Sequence, residues 1–110
     1  MDNWYKKARN SPAERFETAV KPLLPAGVKT RFEDYAQDEI ELSDFEVEEP
    51  LRGRGLGTKA LKTIQDLADK MNITVMLIPA GSRRGDEREN RLRRFYEERG
   101  FSGEDALRYP

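Results

Sequence analysis

The sequence predicts an α/β fold, with a mixed, twisted sheet of about four strands around a parallel strand–helix–strand core. Residues 28–35 and 40–47 alternate apolar and polar side chains, as half-buried strands do. Residues 58–71 then carry apolar side chains on one helical face. The near-continuous apolar run at 73–78 is typical of a strand that is covered on both faces. Because strand, helix and strand follow in this order, we expect a right-handed parallel crossover.

The composition favours one small domain without general attraction to nucleic acid or membranes. The chain has 110 residues, of which 36% are hydrophobic and 37% are charged. Its 20 basic and 21 acidic residues leave a net charge of -1. It contains no cysteine and no histidine, which excludes a thiol nucleophile, an imidazole base and a disulfide framework, and no metal site is expected. We expect a cytoplasmic protein, since no long apolar segment or apolar leader is present.

Residues 1–27 are interpreted as an N-terminal tail and helix that pack on a core formed by residues 28–110. Ser11 and Glu14 fit the S-x-x-E capping box of a helix start. The apolar face of this helix would consist of Phe16, Ala19, Val20 and Leu23. The pattern predicts a packing helix.

The second strand contains a shift in its alternation. Ile40 and Leu42 stand at even positions, whereas Phe45 and Val47 stand at odd ones. Side chains in a strand alternate between faces, so one extra residue near Ser43–Asp44 is needed to keep the apolar set together. This predicts a β-bulge. The alternative is a strand buried on both faces.

A glycine-rich loop, Arg52–Gly57, separates this strand from the following helix. Glycines allow positive φ angles and a close approach of the backbone to a ligand. The helix N-terminus presents unpaired N–H groups and partial positive charge, so the loop could hold a phosphate or pyrophosphate. The spacing excludes the P-loop and the G-x-G-x-x-G fingerprint, and a single copy is unlike an arginine–glycine repeat. The alternative is a tight turn with solvated arginines.

Arg52-x-x-Gly55-x-Gly57 resembles the R/Q-x-x-G-x-G/A acyl-CoA-binding loop of the GCN5-related N-acetyltransferase family. The segment FYEERGF, Phe95–Phe101, is similar to the aromatic–tyrosine–x–x–x–glycine–phenylalanine segment of that family. The resemblance extends from about Ile40 to Phe101, and the family's corresponding strand is bulged at the same place. It implies an enzyme that transfers the acetyl group of acetyl-CoA directly to an amine. The acceptor would be a small amine, a protein lysine or a protein N-terminus.

The resemblance also implies which residues bind acetyl-CoA. The backbone of Phe45 and Val47 would pair with the pantetheine arm. Asn90 is similar to an asparagine that contacts CoA, although it could equally be a solvated helix cap. The pyrophosphate would be cradled by Arg52, Gly53, Arg54, Gly55, Leu56, Gly57 and Thr58.

The catalytic roles follow from the same resemblance. Tyr96 matches a tyrosine that donates a proton to the leaving thiolate; alternatively, it only packs its helix on the sheet. Glu41 resembles the family's strand glutamate that acts as general base, with Glu46 as the second candidate. Either carboxylate could instead be a solvent-facing strand charge.

The chain departs from the family in its short N-terminal part, which puts only a helix and a tail before Val28. Small acetyltransferase-like proteins of bacteriophages, including some that resemble anti-CRISPR enzymes, have a similarly short plan. One alternative is therefore a protein with this fold and little or no activity that acts by binding another protein. The predicted sheet has few strands and at least one uncovered edge, and pairing at such an edge would allow a homodimer. Nucleic-acid binding is disfavoured by the charge balance, although it would use Arg52, Arg54, Arg83, Arg84, Arg91, Arg93 and Arg94.

Overall fold

The computed structural model describes residues 11–79 and 87–110, apart from the side chains at 88 and 89. The strands are β1 Val28–Ala36, β2 Glu39–Val47, β3 Thr74–Leu77 and β4 Leu107–Tyr109. Together they form a four-stranded sheet in the order β1-β2-β3-β4. The pairs β1–β2 and β3–β4 are antiparallel, whereas β2 and β3 are parallel. The predicted mixed α/β fold with a parallel strand–helix–strand core is confirmed.

The described helices are α1 Pro12–Val20, α2 Leu56–Met71 and α3 Glu87–Glu97. The sequence predicted that α2 begins near Thr58, but it begins two residues earlier, after Gly55. Gly55 adopts a left-handed conformation with φ 76°, which a residue without a Cβ reaches at little steric cost. The helix ends as expected at Asn72, which also has a positive φ. None of the helices in the described ranges is long and apolar enough to cross a bilayer.

The start of α1 is a capping box, as predicted. The hydroxyl of Ser11 accepts from the Glu14 N–H, and the Glu14 carboxylate accepts from the Ser11 N–H, both at 3.2 Å. The α-helix ends at Val20 because Pro22 has no N–H to continue the ladder, and a short 3₁₀ turn follows. Leu23 is therefore 57% exposed, and its prediction as part of the apolar face was wrong.

One hydrophobic core joins the sheet to the three helices. Phe16 of α1 packs edge-on against Phe32 of β1, with ring centroids 5.0 Å apart. Val75 and Leu77 of β3 are buried in the same core, and Met76 on the opposite face is also buried, so the strand is covered on both faces as predicted. Ile78, at the end of the apolar run, lies beyond the strand and is exposed. The other large contributors are Val20, Ile40, Leu42, Leu61, Ile64, Tyr96, Phe101 and Leu107.

The predicted β-bulge lies at Ser43. Arg31 pairs with Asp44 and the next residue, Phe32, pairs with Leu42, so Ser43 has no opposite residue on β1. The Ser43 hydroxyl donates to the Arg31 carbonyl at 3.3 Å. The alternative of a strand buried on both faces is wrong, since Asp44 and Glu46 are exposed. Residues after the bulge therefore face the opposite way from the pattern set by Ile40 and Leu42.

Candidate active site

The parallel strands β2 and β3 separate shortly after they pair. Their pairing extends only from Glu39 opposite Thr74 to Glu41 opposite Met76. Beyond that point the bulged half of β2 has no partner on β3, and a cleft of about 670 Å³ opens between them. Residues 42–47 line one side of this cleft and residues 77–79 line the other. The cleft therefore lies at the carboxyl ends of two parallel strands, where open α/β sheets bind ligands.

The glycine loop forms one end of the cleft. Gly53 and Gly55 have φ angles of 82° and 76°, and a Cβ on either would meet no atom within 4 Å. No side chain in the described part of the chain caps α2, so the first amides of that helix are left to a ligand or to water. Their partial positive charge favours an anion. The open space in front of the loop leaves these amides accessible from the cleft.

Gly57 differs from the other two glycines of the loop. A Cβ at this position would lie 3.8 Å from Phe95 Cζ and 3.8 Å from Val47 Cγ2, at ordinary contact distance. Gly57 thus lies where the loop, β2 and α3 approach one another.

Arg52 lines the cleft, but its side chain is used to hold the loop to the end of β2. Its Nε donates to the Val47 carbonyl at 2.8 Å, and its Nη2 lies 3.8 Å from the Glu46 carboxylate. The Val47 carbonyl, which the resemblance implied would pair with the pantetheine arm, therefore already accepts one hydrogen bond from within the chain. Arg54 is exposed and does not line the cleft.

Tyr96 lies at the inner side of the cleft and is only 7% exposed. Its ring packs against Phe95 and Phe101, with centroids 5.2 Å and 5.6 Å away. Burial raises the pKa of Tyr96 to about 12, so the phenol stays protonated throughout the neutral range. A protonated hydroxyl at this position is able to donate a hydrogen bond into the cleft.

The two candidate bases lie in different surroundings. Glu46 lines the cleft and is exposed, whereas half-buried Glu41 lies in the paired part of β2 and does not line it. Asp44, which was not among the residues predicted from the sequence, borders the cleft beside Glu46. The bulge placed it there by reversing the facing of the strand. Asn90 is an exposed residue of α3 that does not line the cleft.

One further polar residue near the loop was not predicted from the sequence as part of the site. Arg99, just after α3, donates to the Thr58 hydroxyl at 2.9 Å. In the sequence it stands only as a cation near a helix C-terminus, where it is expected to offset the helix dipole. Its contact with Thr58 joins residues that are far apart in the sequence, and no local sequence pattern predicts it. No cluster of metal-ligating side chains occurs within residues 11–79 and 87–110.

The bulged strand, the splayed parallel pair and the glycine loop define the class of fold as acyl-CoA N-acyltransferase-like. The profile of the acetyltransferase (GNAT) family matches residues 25–101. Since this covers more than half of the chain, the chain belongs to the acetyltransferase (GNAT) family. It is therefore an acyltransferase by family. No curated protein matches the sequence at a significant level.

Solved structures share the fold at low sequence identity. The anti-CRISPR protein AcrVA5 is 17% identical, with a TM-score of 0.60, and the match covers 78% of this chain and 93% of that one. Ard1 from Thermoplasma volcanium is 22% identical, with a TM-score of 0.56, over 74% of this chain and 59% of that one. Arabidopsis thaliana Naa50, in complex with the bisubstrate analogue CoA-Ac-MVNAL, is 18% identical, with a TM-score of 0.55, over 76% and 63%. The chain thus spans about the whole of the first protein but under two thirds of the other two.

Proposed function

We propose that this chain transfers the acetyl group of acetyl-CoA directly to an amine. The observation that carries the proposal is the splayed gap between β2 and β3, which ends at the uncapped start of α2. A pyrophosphate at that start would accept hydrogen bonds from the amides that follow Gly55. The pantetheine arm would then extend along the unpaired backbone of β2, past Phe45, towards Tyr96.

The chemistry needed at the inner end of the cleft is modest. The bound thioester supplies the acetyl group, and holding the amine beside it accounts for much of the rate enhancement. The amine nitrogen bonds to the carbonyl carbon as the carbon–sulfur bond breaks, and the sulfur leaves as a thiolate. Tyr96 would donate a hydrogen bond to that sulfur. With its pKa raised to about 12, Tyr96 is a weaker acid than an ordinary thiol of pKa about 8.5, so it stabilises the thiolate and the proton comes finally from solvent.

An acceptor amine must be neutral before it attacks. Glu46 and Asp44 border the cleft, where their charges attract an ammonium group and either carboxylate can take its proton. We assign the base to Glu46 rather than Glu41, because Glu41 does not line the cleft. A cationic amine, either a small molecule or an exposed protein amine, fits this rim best.

Two measurements on the purified chain test the proposal. Calorimetric titration with acetyl-CoA should show one binding site, and a panel of amines and peptides should include one that releases thiol with an acetylated product. Absence of heat at millimolar acetyl-CoA would contradict the proposal. Binding of acetyl-CoA without transfer to any amine, free or in a cell lysate, would favour the alternative of a binding protein that has kept the fold.

A further inference from the structure

Arg99 connects the end of α3 to the first turn of α2. Its Nη2 donates to Thr58 Oγ1 at 2.9 Å, and its Nη1 donates to the Phe95 carbonyl at 2.8 Å. The guanidinium carbon also lies 4.0 Å from the centroid of the Phe95 ring. Two hydrogen bonds and a ring contact hold the planar group in one orientation.

The backbone of Arg99 is docked on α2 independently of its side chain. The side-chain amide of Gln65 donates to the Arg99 carbonyl. Thr58 and Gln65 lie two turns apart on α2, and therefore on one face of the helix. A substitution of the Arg99 side chain would leave this second attachment in place.

The bond to the Phe95 carbonyl and an ion pair with Glu98 at 3.7 Å stabilise the end of α3, but they use only one of the guanidinium nitrogens. The Nε of Arg99 is buried and has no hydrogen-bond partner among the described residues. Leaving a buried donor unpaired costs free energy, which offsets part of what the contacts at the end of α3 contribute. The guanidinium is better explained by what it does to Thr58.

We infer that Arg99 is a positioning residue for the pyrophosphate of the acyl donor, acting through the Thr58 hydroxyl; this rests on the proposed function. The Arg99 N–H occupies a lone pair of Thr58 Oγ1, so the hydroxyl hydrogen points away from the guanidinium. It is then available to an anion at the start of α2. Thr58 lines the cleft, whereas Arg99 does not. The Arg99 guanidinium would therefore act on a ligand in the cleft only through the Thr58 hydroxyl.

The test compares two acyl donors, one of which lacks both the phosphates and the adenosine. Acetyl-CoA carries the pyrophosphate, whereas S-acetyl-pantetheine carries only the arm and the thioester. Dissociation constants for both would be measured by NMR titration on the full chain. Arg99→Gln should raise the constant for acetyl-CoA by roughly tenfold and leave that for S-acetyl-pantetheine unchanged within about twofold. An equal loss for both donors, or no loss for either, would overturn the inference.

Thr58 variants keep the inference testable even if Arg99→Gln is poorly folded. Thr58→Val should lose as much acetyl-CoA affinity as Arg99→Gln, Thr58→Ser should retain it, and the double variant should lose no more than Thr58→Val alone. Multiplicative losses in the double variant would show that Arg99 acts without Thr58. Arg94→Gln, an exposed residue on α3, is the matched control. A wild-type chain that binds no acetyl-CoA would contradict the proposed function itself, whatever the variants do.

Discussion

The Nε of Arg52 donates to the carbonyl of Val47 at 2.8 Å, and so joins the glycine loop to the end of the strand before it. The first residue of the loop motif thus holds the turn between β2 and α2. Glu46 lies 3.8 Å from the same guanidinium and completes the attachment. The Arg52 side chain therefore points towards the preceding strand, and we expect the geometry of the loop to depend on this contact.

Replacing Arg52 with alanine should weaken acetyl-CoA binding about five- to tenfold, because the loop loses the hydrogen bond that orients it. The melting temperature should change little, since the side chain is exposed and its ion pair with Glu46 is of the weak surface kind. Calorimetric titration and a thermal melt measure the two effects. Arg91→Gln, which breaks an exposed ion pair with Glu87 on α3, is the control. An Arg52→Ala variant with unchanged affinity would remove the orienting role.

The glycines of the loop should respond differently to alanine. Gly55→Ala forces a Cβ into a left-handed conformation at a cost of about 1–2 kcal/mol, and should also weaken binding by displacing the start of α2. Gly57→Ala meets Phe95 and Val47 only at contact distance within a helix, so its free energy of unfolding should stay within about 1 kcal/mol of the wild type. Urea denaturation of the two variants measures the difference. Equal destabilisation would contradict the distinction.

Much of the cleft could be predicted from the sequence because its causes are local. The shift between Leu42 and Phe45 revealed the bulge, since the two-residue period of a strand depends on neighbouring residues alone. The first residue of α2 was misplaced because the helix begins after a left-handed Gly55, with no side-chain cap to mark the start in the sequence. The contact of Arg99 with Thr58 joins residues distant in sequence, and no local pattern encodes it.

Tyr96→Phe should lower kcat for acetyl transfer about 10²-fold and leave the KM for acetyl-CoA nearly unchanged. The ring still packs against Phe95 and Phe101, so only the proposed hydrogen bond to the leaving sulfur would be lost. Steady-state kinetics with the best amine of the panel measure both constants. A kcat like that of the wild type would assign Tyr96 to packing alone.

The pH dependence of stability provides the control for this variant. Burial raises the pKa of Tyr96 from 10.0 to about 12, so the folded chain holds the phenolic proton more tightly than the unfolded chain. The resulting stability is fully present below pH 10 and is lost as the pH rises through 12, at up to about 1.4 kcal/mol per pH unit. The difference in unfolding free energy between wild type and Tyr96→Phe should therefore be flat below pH 10 and change above it.

The choice between the two carboxylates is tested by amide substitutions. Glu46→Gln should lower kcat/KM about 10²-fold at neutral pH, and less at pH 10, where more of the acceptor amine is already neutral. Glu41→Gln should have a smaller effect, because Glu41 lies in the paired part of β2. Rate profiles between pH 6 and 10 measure both variants. A larger loss in Glu41→Gln would reverse the assignment.

The most direct test of the acyl-CoA site is an NMR titration of the ¹⁵N-labelled chain with acetyl-CoA. The amides of Gly55, Leu56, Gly57 and Thr58 should shift together with those of the bulged half of β2, as the ligand saturates a single site. The amides of β1 should shift far less, because that strand does not line the cleft. Shifts confined to other parts of the chain, or none at millimolar acetyl-CoA, would contradict binding at the start of α2.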